Sequence, residues 1–75
     1  MNTPTYAERV GNLVAEAIRG AGHSEKSASE AVGIPRATLR RKLRGDADFT
    51  LTELQRIAER LDAGSAADFI PRGAA

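Results

Sequence analysis

Apolar residues recur along this chain at helical spacing. Val10, Leu13, Val14, Ala17 and Ile18 fall at i, i+3, i+4, i+7 and i+8, one stripe, while Glu8, Arg9, Asn12, Glu16 and Arg19 mostly lie off it. The stripe predicts a first helix over about 4–19. Two starts are open: Thr3 as N-cap with Pro4 in the first helical position, or Thr5 and Glu8 as a capping box. Gly20-Ala21-Gly22 ends it by permitting positive φ and withdrawing side-chain support.

Ser24 then caps a short helix over about 25–32, whose buried face is Ala28, Ala31 and Val32. Gly33 can take the left-handed conformation that stops it, and Ile34 folds back inward. Pro35 fixes φ for a third helix running to about Arg44, with Gly45 closing it. On that helix Leu39 and Leu43 mark the inward side; Ala37, Arg41 and Arg44 lie opposite, flanked by Arg40 and Lys42. After an Asp46-Ala47-Asp48 loop, Thr50 and Glu53 form a second capping box, and Phe49 can staple onto Leu54. The fourth helix places Leu51, Leu54, Ile57, Ala58 and Leu61 on one face and stops near Asp62-Ala63-Gly64. Ser65 with Asp68 starts a last short helix, Phe69 and Ile70 pointing inward and Pro71 ending it. Two-residue alternation is absent throughout, so the expectation is an all-α, compact five-helix domain. Its boundaries are 1–75, with a core of about 4–70, a two-helix unit at 24–45 and a tail at 71–75.

Composition narrows the classes. Seventy-five residues suit one domain with a small core, burying about 60% of the surface that the unfolded chain exposes. There is no cysteine and one histidine, which excludes a disulfide framework, a cysteine zinc site and a thiol nucleophile. His23 has no placed acid or second ligand and reads as a loop residue. An enzyme is the least supported class, and no cofactor, metal or small-molecule ligand is expected. Apolar runs are short and no leader pattern precedes them, so the expectation is a cytoplasmic, nucleoid-associated protein without a membrane partner.

Charge changes the picture more. The net value is only +1, but residues 35–45 hold five basic and no acidic groups, against three basic and four acidic in 1–34 and three basic and six acidic in 46–75. Arg36 with Arg40, and Arg40 with Arg44, are like charges at i, i+4, each costing roughly 0.2–0.5 kcal/mol. A solvated basic face is the plain reading of such a segment; a polyanion against it would explain why the repulsion is tolerated. Tyr6, Phe49 and Phe69 are too few and too spread to stack single-stranded bases, and read first as core.

Two short helices, a tight glycine turn and cations on the second helix are the helix-turn-helix pattern. Gly33 in the turn, Ile34 after it, Thr38-Leu39, Gly45 and the helix from Phe49 to Ala63 together resemble the phage Cro and lambda-type repressor family over about residues 5–70. The resemblance implies a domain that binds a double-stranded DNA operator, commonly as a twofold homodimer, and regulates transcription in a bacterial or phage-infected cell. Arginine suits the O6/N7 edge of guanine, and an alanine methyl can meet thymine. The candidate base contacts are therefore Arg36, Ala37, Arg40, Arg41 and Arg44; the candidate backbone contacts are Ser24, Lys26, Ser27, Thr38 and Lys42.

Three departures from the family stand out. Glu25 occupies a place where a phosphate-holding glutamine is common, and a carboxylate there repels phosphate unless Ser24, Lys26 or Ser27 makes the contact. Ser29 replaces a small alanine, so its hydroxyl needs a backbone carbonyl if buried. The loop after the third helix is acidic where the family's is often basic. The competing class is a small helical adaptor that sets the same basic helix against an acidic protein.

Overall fold

Local hydrogen bonds between residues three apart set three of the four α-helix starts in this computed structural model, which describes residues 3–71. The first helix, α1, spans Tyr6–Gly20. Of its two candidate starts the capping box forms: Thr5 Oγ1 accepts the Glu8 N–H at 3.1 Å, and the Glu8 carboxylate accepts the Thr5 N–H at 2.7 Å. Pro4 therefore stays outside the helix. Helix α2 spans Glu25–Val32 and uses serine twice: Ser24 Oγ accepts the Ser27 N–H at 3.1 Å, and Ser27 Oγ accepts the Ser24 N–H at 3.0 Å. Helix α3 spans Arg36–Leu43. Pro35 is its N-cap rather than its first helical residue, because ψ there is 140°, still extended. Helix α4, Leu51–Arg60, begins with the expected reciprocal pair, Thr50 Oγ1 to the Glu53 N–H at 3.0 Å and Glu53 Oε1 to the Thr50 N–H at 2.8 Å.

The expected fifth helix is instead one 3-10 turn, Ala66–Phe69, so among the described residues there are four α-helices. Ser65 and Asp68 still pair at its start, but Ile70 turns to an extended conformation, and four residues are too few for a continuing i to i+4 ladder. Phe69 is buried as expected; Ile70 is exposed. Pro71 is buried, and the remainder of the expected tail lies outside the described residues.

Val10, Val14 and Ile18 of α1, Ala28 and Val32 of α2, Leu39 and Leu43 of α3, and Leu54, Ile57 and Ala58 of α4 form one core with Ile34, Leu61 and Phe69. Leu51 does not join it. Although it extends the α4 stripe by one turn, the residue is 72% exposed, beside Tyr6 and Ile70 on one groove at the edge of the core.

Two glycines position α3. In α1, Gly11 lets the backbones touch: a Cβ built there would lie 2.8 Å from the Leu43 carbonyl carbon and 2.9 Å from the Lys42 carbonyl oxygen. At the α2–α3 turn Gly33 has φ 73° and ψ 27°, the left-handed conformation predicted for it. Its N–H and that of Ile34 both donate to the Ser29 carbonyl, at 2.9 and 3.2 Å. From α4, Arg56 Nη1 donates to the Val32 carbonyl at 3.4 Å and Arg60 Nη1 to the Ala31 carbonyl at 3.3 Å. These cations satisfy carbonyls that every helix C-terminus leaves open, and they sit at the negative end of the α2 dipole.

Candidate nucleic-acid interface

Burial divides α3 into two faces. Leu39 and Leu43 lie in the core, while Arg36, Ala37, Arg40, Arg41 and, just past the helix, Arg44 are exposed. The five residues expected to meet base edges therefore share one open surface, which carries four guanidinium groups and one methyl. Leucine at i and i+4 anchors the helix on α1 and α2, and the turn at Gly33 fixes its direction.

The cations differ in what they touch. Lys42 Nζ lies 2.6 Å from both Glu53 carboxylate oxygens, with side chains only 14% and 18% exposed. Burial works to raise the Glu53 pKa, but hydrogen bonds from Lys42 and the Thr50 N–H, with the nearby ammonium charge, outweigh it and hold the carboxyl below its ordinary value. The Lys42 ammonium, expected as a phosphate contact, is thus directed to Glu53 of α4. Arg40 Nε lies 3.2 Å from Glu25 Oε1, joining α3 to the start of α2, and Arg44 Nη2 lies 3.2 Å from Asp46 Oδ2. Arg36, Arg41 and Lys26 have no ion pair among the described residues.

The other expected backbone contacts, Ser24 at the α2 cap, Lys26 and Ser27 on α2 and Thr38 on α3, have mixed surroundings. Ser24 and Lys26 are exposed, whereas Ser27 and Thr38 are half-buried. The Ser27 hydroxyl is engaged with the Ser24 backbone and lies 2.9 Å from His23 Nδ1. Ser29 is buried, and its hydroxyl donates to the Lys26 carbonyl at 2.8 Å, the backbone partner that burial requires.

Sequence reasoning missed the partners. Glu25 and Asp46 read as departures that oppose phosphate, yet each holds an arginine of the exposed face. Glu53 read as a capping residue and a helix-surface charge, and Arg56 and Arg60 had no assigned role. Only the Arg44–Asp46 pair joins sequence neighbours, and a charge-sign match could have suggested it; nothing in the chain pairs Arg56 with Val32 or Arg60 with Ala31 across more than twenty residues.

No helix among the described residues is long and apolar enough to cross a membrane. The family model described as Helix-turn-helix, the Cro and lambda-repressor type, matches residues 14–69. That span holds α2, α3 and α4 complete with most of the core. No curated protein and no solved structure matches the chain.

Proposed function

We infer that this chain, which belongs to the Cro/lambda-repressor-like helix-turn-helix family, is a sequence-specific transcriptional regulator of the phage-repressor or Cro type. The family is one of DNA-binding regulatory domains, not of catalysts. On this reading α3 enters the major groove of an operator, and α2 lies across the phosphate backbone. The observation that carries it is the exposed surface of α3, where Arg36, Ala37, Arg40 and Arg41 are open to solvent while Leu39 and Leu43 of the same helix are buried. A helix whose back is fixed in the core presents its outer side chains in one register, as reading base edges requires.

Arg36, Arg40, Arg41 and Arg44 are the proposed base-edge donors and Ala37 the apolar neighbour of a thymine methyl. Ser24 and Lys26 are the proposed phosphate contacts, with Thr38 and Ser27 at the margin of the surface. Lys42 is left out, because Glu53 already binds its ammonium. The proposal includes a twofold homodimer on a palindromic site and action at the nucleoid of a bacterial or phage-infected cell.

Selection of bound sequences from a random duplex pool tests the reading. The expected product is a consensus with two half-sites about one helical turn apart, bound in a gel shift against excess unrelated duplex. A pool that yields no consensus, with no preferred band, would exclude a sequence-specific regulator and favour the acidic-protein adaptor.

A further inference from the structure

We propose that Glu25 is a positioning and specificity-determining residue that aims Arg40 at a base edge and keeps it off the phosphates. This rests on the DNA-reading role of α3 proposed above. Glu25 lies at the first position of α2, and its Oε1 accepts from Arg40 Nε at 3.2 Å. A guanidinium has five N–H donors, and the contact is made through Nε, on the flank of the group. Both terminal nitrogens remain to form the planar fork that matches guanine O6 and N7.

The same carboxylate acts negatively. A phosphate approaching Arg40 would meet the Glu25 charge beside it, whereas a guanine edge, which carries no net charge, would be repelled far less. Arg40 side chain and Glu25 side chain are 52% and 41% exposed, so water screens the pair and its own strength is modest. Its consequence lies in direction and selectivity: unspecific duplex, which offers mainly phosphates, gains less from Arg40 than a site with guanine in the right place. Repelling the wrong ligand in this way is a recognised route to specificity.

Arg44 supplies the internal comparison. Asp46 holds it through Nη2, so one prong of its fork is already engaged, and the two residues are neighbours in a turn rather than on separate helices. Removing Asp46 changes the charge as removing Glu25 does, without freeing Arg40. Charge alone therefore predicts equal consequences, and positioning predicts unequal ones.

The experiment measures binding of the parent, Glu25→Ala, Glu25→Gln, Asp46→Ala, Arg40→Ala and the Glu25→Ala/Arg40→Ala double variant to the selected duplex and to its single-base-pair variants. Both charge removals should strengthen binding to unrelated duplex and steepen the log–log salt slope by up to about one. Glu25→Ala alone should also lose discrimination, about tenfold, at the base pair where Arg40→Ala loses it. Glu25→Gln, which keeps an acceptor for Nε, should retain much of that discrimination, and the double variant should lose no more than Arg40→Ala. Equal discrimination in Glu25→Ala and the parent, or an equal loss in Asp46→Ala, would overturn the inference while leaving the DNA-reading role intact. A parent protein that binds all duplexes alike would instead overturn that role and this inference with it.

Discussion

Lys42 on α3 and Glu53 on α4 meet with the ammonium 2.6 Å from both carboxylate oxygens. Glu53 Oε1 also accepts the Thr50 N–H that starts α4, so one side chain closes a helix cap and ties that helix to α3. The connection crosses the 45–50 loop, where the acidic residues Asp46 and Asp48 would otherwise be the only nearby partners for the basic segment in sequence.

Replacing Glu53 by glutamine should lower stability by roughly 1–3 kcal/mol at neutral pH, the range for losing hydrogen bonds to a charged group. The sign with pH follows from the lowered pKa. Descending through the ordinary carboxylate range near pH 4.3, the unfolded chain protonates first, so the pair's contribution is full above that range and is lost as pH falls through the folded value. Urea midpoints of parent and variant should therefore differ at pH 7 and converge in acid. A gap that stays constant down to acid unfolding would mean Glu53 acts without its charge.

Gly11→Ala should destabilise the fold, although alanine is the better helix former by about 0.5–1 kcal/mol. The added methyl would overlap the Leu43 and Lys42 backbone, which cannot rotate aside, and overpacking of this kind costs roughly 1–3 kcal/mol. Thermal denaturation checks it; a raised melting temperature would show that α1 and α3 can separate without loss.

At Gly33 the added Cβ meets only Arg60 Nη1, at 4.0 Å, so any penalty there is conformational. Gly33→Val should cost about 1–3 kcal/mol because a β-branched residue is strained at φ 73°. Gly33→Asn should cost less, since asparagine tolerates that region. Equal melting temperatures for the two variants would place the cost elsewhere.

Leu51 and Leu54 share the α4 stripe but not its burial. Leu51→Gln should change stability by no more than about 0.5 kcal/mol. Leu54→Ala, at a position 2% exposed, should cost about 2–5 kcal/mol. Comparable losses in denaturant titrations would put Leu51 in the core after all.

Arg41 and Lys26 should separate base reading from backbone contact. Arg41→Ala should weaken binding to the selected duplex by about 1–3 kcal/mol and relax the preference at one position. Lys26→Ala should weaken binding to every duplex alike and reduce the salt slope by about one. If Arg41→Ala keeps the parent's ratio of selected to scrambled duplex, its role as a base reader is wrong.

Much of this protein is local, and local chemistry is legible in a sequence. Thr5 with Glu8, Thr50 with Glu53 and Ser65 with Asp68 bond across three residues, and Gly33 stops α2 through its own φ, so helix starts and the central turn follow from short stretches. The inward placement of Leu39 and Leu43, and with it the outward arginine face, follows from helical periodicity. What depended on where helices end in space was not readable. Periodicity gives Leu51 a direction but not a neighbour, and α4 begins where the core has already ended. The choice of carboxylate for each cation was likewise tertiary: Arg40 reaches back fifteen residues to Glu25, and Lys42 forward eleven to Glu53. Charge pairing depends on distance between side-chain tips, and only the packing of α3 against α2 and α4 sets those distances.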